Sequence, residues 1–342
     1  MQLCSTLLFL LLWCVVCSAQ VSHGPATCSN CHRSEAISQP KTQMGRAMQL
    51  PGDNPTLVSH PKLTFRSGSY FYTVETHNGQ SRYSVSDGTR TISVPIAWSM
   101  GAQAQTWILQ RDGRMYESLV SYYPILNGLF TTVGDENMKP ATLEEAVGRP
   151  LSGEDARTCF GCHATHAIDD HKLNLSSLKP GLTCEHCHAG SMEHLKTATK
   201  SGSSISTPPS LGDLSTEDLS DFCGTCHRTW ELVTRAGWRG TSNVRFQPYR
   251  LANSRCYDGA DSRISCIACH NPHQDVVRDA AYYDSKCLAC HTTPAQAHAK
   301  TCPVAKSNCS SCHMPKVPFP GGHFIFTDHQ IRIVKANEPY PN

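Results

Sequence analysis

The sequence predicts mainly short α-helices and loops, joined to a β-rich antiparallel subdomain. Three observations predict it. Cys-x-x-Cys-His recurs seven times in 342 residues, and six of the copies fall between Cys159 and His313. Apolar residues make up 39% of the chain, below the roughly 45–50% of ordinary globular domains, so side chains alone supply a thin core. Between the first and second copies lies a long interval of β-branched and aromatic residues punctuated by Asn-Gly and Asp-Gly, the pattern of antiparallel hairpins.

The copies are Cys28-Cys31-His32, Cys159-Cys162-His163, Cys184-Cys187-His188, Cys223-Cys226-His227, Cys266-Cys269-His270, Cys287-Cys290-His291 and Cys309-Cys312-His313. On a helical turn, residues i and i+3 share a face. Two thiols so placed can form thioethers with the two vinyl groups of one haem, while the next residue presents an imidazole to the iron. Zinc needs four ligands closing a tetrahedron and has no use for His directly after the second Cys seven times over. The expectation is therefore seven covalently attached haem c groups, whose macrocycles also supply the missing core.

The cysteine account is nearly closed. Fourteen of the 19 belong to the motifs, Cys4, Cys14 and Cys17 lie near the start, and Cys256 and Cys302 remain. The last two are expected to form a disulfide, since residues 1–19 read as a cleaved signal peptide: an apolar run from Leu7 to Val16 precedes Cys17-Ser18-Ala19. Ten apolar residues are too few for a membrane span. Haem c is attached outside the cytoplasm, so the expected location is the periplasm or the cell exterior. The formal charge is +2, but about two propionates per haem would make the loaded protein acidic by roughly a dozen charges, which argues against a nucleic-acid partner.

In chain order, 20–56 is an N-terminal haem segment, 57–150 the β-rich haem-free subdomain and 151–342 a six-haem cytochrome domain. Gln39 to Leu50 reads as a short helix carrying Met44 and Met48. Strands are expected at Tyr70–Thr76, Ser81–Ser86, Thr89–Ile96, Gln105–Gln110 and Met115–Tyr122, with turns at Asn78-Gly79, Asp87-Gly88 and Asp112-Gly113. Their aromatics are expected to pack the sheet. Capping patterns begin at Thr142, Ser152 and Ser215, the last two just ahead of haem motifs.

The string GLTCEHCHAGSMEHL, Gly181 to Leu195, resembles the GVxCExCHGPGSxH signature of multihaem cytochromes related to the tetrahaem cytochrome c and hydroxylamine oxidoreductase superfamily. It departs at Ala189-Gly190-Ser191-Met192, which stands for Gly-Pro-Gly-Ser. The C-terminal CSSCHMPK and HFIFTDHQIRI resemble the CHMP…TDHxI segment of pentahaem cytochrome c nitrite reductase. The resemblance implies a multihaem cytochrome fold, with His194 and His329 as distal iron ligands. It carries over no activity, because the Cys-x-x-Cys-Lys motif of the nitrite reductases is absent.

Seven of the 18 histidines are proximal. Besides His194 and His329, the candidates for the distal side are His273 in CHNPH, His298 in an Ala-rich run, His323 beside Gly321-Gly322, and His60 before a proline. His166 and His171 compete for one role. Spare imidazoles suffice for every iron, so the expected function is electron transfer along a haem chain between redox partner proteins, other cytochromes among them. The alternative is an oxidoreductase acting on a small nitrogen or sulfur compound at one five-coordinate haem. Protein matured in a host with haem-attachment machinery should carry seven haems per chain by intact mass and by iron analysis. Six or fewer in homogeneous protein would refute the seven-site reading.

Overall fold

The computed structural model describes residues 25–200, 204–291, 302–335 and 337–341. The leader expected at 1–19 and His298 lie outside them. Among the described residues no helix is long and apolar enough to cross a membrane.

The haem-free interval folds into an antiparallel sheet. Its strands are β1 (Met48–Gln49), β2 (Lys62–Ser67), β3 (Tyr70–His77), β4 (Gln80–Ser86), β5 (Thr91–Met100), β6 (Thr106–Arg111), β7 (Arg114–Ser118) and β10 (Gly148–Pro150). They run in the order β10-β7-β6-β5-β4-β3-β2, with β1 paired to β5. A separate hairpin of β8 (Val120–Tyr123) and β9 (Gly128–Thr131) is bridged to the sheet through Tyr122 and Gln105. The sheet curls until β9 lies beside β2, with the rings of Phe65 and Phe130 5.6 Å apart. Turns at Asn78-Gly79 (φ 51° and 75°) and Asp112-Gly113 (φ 50° and 72°) have the positive φ values that suit the twist of tight hairpins.

Alternation along the strands sends one set of side chains inward. Leu63, Tyr72, Val74, Tyr83, Val85, Val94, Ile96, Trp107, Leu109, Val120 and Leu129 form the main core, with Leu57 and the helix Leu143–Val147 packed into it. Tyr72, Tyr83 and Trp107 are thus packing residues. A bulge in β5 then changes which core the strand serves. Ile96 pairs with Leu109 but Trp98 with Ile108, so two residues of β5 face one of β6 and the side chains switch faces. Beyond the bulge, Trp98 and Met100 join Met48, Ile108, Ala156 and Phe160 in a second core. Trp98 meets Phe160 edge-on at 5.2 Å.

This second core docks the sheet against the helix Gly153–His163, which carries the second Cys-x-x-Cys-His. Arg149 on β10 reinforces the joint, reaching Glu117 on β7 at 2.6 Å and Asp155 at 3.1 Å. Asp155 and Ser152 form the capping box that starts the helix. Thr142 and Ser215 cap their helices as their patterns suggest.

Three expectations need correction. Gln39 to Leu50 is not a helix: a 3-10 turn over Gln39–Lys41 gives way to turns and then to β1. Pro40 removes a helical donor, and the chain folds so tightly at Gly45 that a Cβ there would stand 2.5 Å from the Gln39 carbonyl oxygen. Met115 to Tyr122 is two strands, because Ser118 turns its hydroxyl to the Trp107 N–H and the Val120 carbonyl and the chain changes partners there. The Cys256–Cys302 bridge is not formed. Both are free thiols; Cys256 lies near Cys287 and Cys290, while Cys302 is exposed and accepts from the N–H groups of Val304 and Ala305.

Asp135, just after β9, is a buried acid whose Oδ2 has no hydrogen-bond partner. Burial, with the charge of Glu117 nearby, pushes its pKa up to about 6. A carboxyl raised in the folded state contributes nothing adverse below its ordinary range and costs stability as pH rises through 4 to 6. Asp135→Asn should therefore raise stability at pH 7 by about 2–3 kcal/mol and leave it unchanged at pH 3.5, as denaturant titrations at the two pH values would show.

Candidate haem-binding array

All seven motifs end helices or helical turns. The first begins at the end of Pro25–Cys28, and the others close Gly153–His163, Cys184–Cys187, Thr216–His227, Cys266–Cys269, Ala280–His291 and Cys309–His313. In three of them the His N–H bonds the carbonyl of the first Cys, at 2.8–2.9 Å: His32 to Cys28, His188 to Cys184 and His270 to Cys266. Ser152, Ser215 and Ser265 cap the helices of the second, fourth and fifth motifs. The cysteine pair consequently lies on one face, with the imidazole leaving the end of the same turn.

Most of the motifs also lie against one another. Cysteine side chains come together in four pairs, Cys28 with Cys184, Cys162 with Cys226, Cys223 with Cys266, and Cys287 with Cys309. Cys187 lies close to Cys226, and Cys269 to Cys287. The order in space is first, third, fourth, fifth, sixth, seventh, with the second set against the fourth. The sixth and seventh are tied further by Asp284, whose carboxylate accepts from the N–H groups of Asn308 (2.5 Å) and Cys309 (2.8 Å) at the start of the last motif helix. The neighbouring Cys162 thiol, with His186 and the Thr225 hydroxyl, lowers the pKa of Cys226 below the usual thiol range.

Among the described residues, three proximal histidines face a second imidazole. His32 and His194 have ring centroids 6.2 Å apart, His188 and His273 5.9 Å, and His270 and His329 6.2 Å. Two imidazoles on opposite sides of one metal ion, each nitrogen about 2 Å from it, have centroids about 6.3 Å apart. The ring nitrogens are prepared for that role. Nδ1 of His194 donates to the Ser206 carbonyl (2.7 Å), that of His329 to Thr327 (3.0 Å), that of His163 to Ala47 (2.9 Å) and that of His313 to Arg332 (2.9 Å). A carbonyl can only accept, so the proton sits on Nδ1 and the Nε2 lone pair is left for a metal. Burial, aided by the charge of His270, lowers the His329 pKa to about 4, which keeps it neutral.

A covalently held haem fits these residues. It needs two thiols one turn apart and two imidazoles about 6 Å apart, because the macrocycle supplies the other four ligands. Among the described residues no group of three or more His, Cys, Asp or Glu is arranged to hold a metal ion by itself.

Other expected ligands are placed differently. His60 is a residue of the sheet region: Nδ1 donates to the Thr56 carbonyl at 2.8 Å and Nε2 is hydrogen-bonded with the Asn127 side chain at 3.1 Å. His323 stands edge-on to Phe130 at 4.4 Å and to Tyr123 at 5.2 Å, within an aromatic group. Neither faces a proximal imidazole. His166 hydrogen-bonds Glu185 at 3.1 Å, and His171 is exposed in a turn. Met48 is buried in the second core.

The group that sequence reasoning missed is the one that seats His329. Arg250, fully buried on the helix Gln247–Ala252, makes a bidentate pair with Asp328 at 2.8 and 2.9 Å. It also donates to the Pro341 carbonyl and the Gln330 side chain. Arg332 adds a second cation to Asp328 at 2.6 Å, and Ser254 donates to the His329 carbonyl. Burial pushes the Asp328 pKa up, and the guanidinium of Arg250 outweighs it, holding the acid below the usual carboxylate range. No local pattern announces Arg250, because its partner lies 78 residues away.

The fourth motif borders a recess of about 360 Å³ lined by Cys226, His227, Arg228, Trp238, Arg245 and Phe246.

No family model, curated protein or solved structure matches this chain. Its own residues carry the functional reading.

Arg250→Ala should cost about 3–5 kcal/mol, because it leaves the Asp328 charge buried without its principal partner. The wild-type contribution is complete at neutral pH and is lost only as pH falls through the depressed pKa of Asp328, below the ordinary carboxylate range. Denaturant midpoints of the two proteins at pH 7 and at pH 3 should therefore converge on acidification.

Proposed function

We propose that this chain is an exported seven-haem c-type cytochrome that carries electrons along a row of closely packed haems between redox partner proteins. The observation that carries the reading is the spacing of three imidazole pairs, 5.9–6.2 Å between centroids, each built around a Cys-x-x-Cys-His histidine. Haem iron supplies the one-electron chemistry when it is bound. The chain's residues would hold it: the cysteines would anchor the ring and the paired histidines would ligate the iron, which would then change oxidation state with little rearrangement.

The succession of motifs supports carriage rather than storage at one centre. Neighbouring motifs touch through their cysteines, so haems attached there would lie close together along the row. The first and seventh motifs lie at its ends, and each has an exposed cysteine, Cys31 and Cys312, where a partner protein can approach. The alternative, an oxidoreductase acting on a small nitrogen or sulfur compound at one five-coordinate haem, draws on the arginine-lined recess beside His227.

His329→Ala tests the carrier reading. The variant should retain seven covalent haems by mass while one low-spin haem becomes high-spin in the electron paramagnetic resonance spectrum and binds carbon monoxide. An unchanged spectrum would overturn the His270–His329 pair.

A further inference from the structure

The surface around the last motif is apolar and cationic at once. A hairpin of Lys316–Pro318 and Ile325–Thr327 pairs Lys316 with Thr327 and Pro318 with Ile325. Alternation half-buries Val317 and Phe326 on one face and leaves Lys316, Pro318 and Ile325 exposed on the other. The segment that follows runs back beside the motif, where the Arg332 carbonyl accepts from Nδ1 of His313, and Ile333, Val334 and Lys335 come next, all exposed. Val304 and Lys306, just ahead of Cys309, are exposed as well, and the Arg255 N–H reaches the Ile331 carbonyl of the same segment. Val304 is 88% exposed, Ile333 65% and Ile325 57%. Aliphatic side chains left so bare in one region mark an interaction surface.

The charges of this face are unmatched. Among the described residues Arg255, Lys306, Lys316 and Lys335 pair with no carboxylate, because the buried acids of the region are already engaged. Asp328 is held by Arg250 and Arg332, and Asp284 by the N–H groups of Asn308 and Cys309. One exposed acid, Glu338, lies among the cations and accepts from the Lys335 N–H. The opposite end of the row differs: beside the first motif Arg46 pairs with Asp275, and Lys196 with Glu193. A haem on the seventh motif would not neutralise the face either. Propionates lie on the edge of the macrocycle opposite the vinyl groups, whereas the exposed Cys312 would take a vinyl.

We propose that this face docks an acidic redox partner protein, with Val304, Ile325 and Ile333 packed against it and the four cations facing its carboxylates. An apolar centre inside a charged rim is the anatomy of a specific interface, and unpaired charges of one sign select a partner of the other. The remaining surface of the loaded protein is acidic and repels such a partner, so the cations also steer it to this end. The proposal rests on the haem reading only for what lies beneath the face, the seventh haem, and it adds the sign of the partner there.

The test uses the haem-loaded protein, fully reduced, mixed in stopped flow at low salt with either of two small oxidants, hexacyanoferrate(III) or hexaammineruthenium(III). Each takes one electron from a ferrous haem and leaves it ferric; the first is an anion and the second a cation. Lys316→Glu combined with Lys335→Glu should slow oxidation by the anion about tenfold and should not slow oxidation by the cation. Raising the salt to about 0.2 M should remove most of that difference. Both lysines are exposed and unpaired, so the unfolding temperature should not change. An undiminished rate with the anion overturns the proposal, and so does equal slowing of both oxidants. Haem counting by mass on the same samples keeps the two readings apart. Seven haems with rates blind to the substitutions defeats only the docking face, and fewer haems with charge-dependent rates defeats only the seven-haem reading.

Discussion

The facing imidazoles set the course of the chain. The His of the first motif is met by His194, which follows the third motif; that of the third by His273, which follows the fifth; that of the fifth by His329, which follows the seventh. Each pair closes a long loop, and closing a loop costs entropy that local structure must offset. Short helices with strong caps, the Asp284 carboxylate and the Arg250–Asp328 clamp do so one segment at a time. The fourth motif lies between the third and the fifth, with the second set against it.

The sheet has a different task. Its main core is self-sufficient, with Trp107, Tyr83 and Leu109 fully buried among strands close in sequence. One extra residue in β5 turns the end of the strand outward, and through Trp98 the sheet becomes a platform for Phe160 and the second motif helix. A rigid, locally folded body is thereby joined to a region whose own apolar content is low. Arg149 holds the same joint electrostatically.

Features set by neighbours in sequence could be read from the sequence. The motif helices, the caps at Thr142, Ser152 and Ser215, and the positive-φ turns at Asn78 and Asp112 each depend on a few adjacent residues. What could not be read depends on distant ones. The Gln39–Leu50 segment has helical composition, yet pairing of Met48 with Met100 draws it into a strand. Counting left Cys256 and Cys302 over but said nothing about their separation. Arg250 looks like any surface arginine until Asp328 arrives beside it. Of the six distal candidates, the two that family resemblance implied, His194 and His329, face proximal rings, as does His273. His60 and His323 were chosen for availability, and they sit elsewhere.

The interleaving has a consequence for how such a chain can be completed. In these three pairs a motif and its opposing imidazole are not made together: each waits for the second motif downstream to emerge, so the pairs close in arrears along the chain. The final segment brings His329 to the fifth motif, while its Arg332 carbonyl holds Nδ1 of His313 in the seventh. Damage near the C-terminus would accordingly be felt at the fifth motif, in the middle of the row, as well as at the seventh.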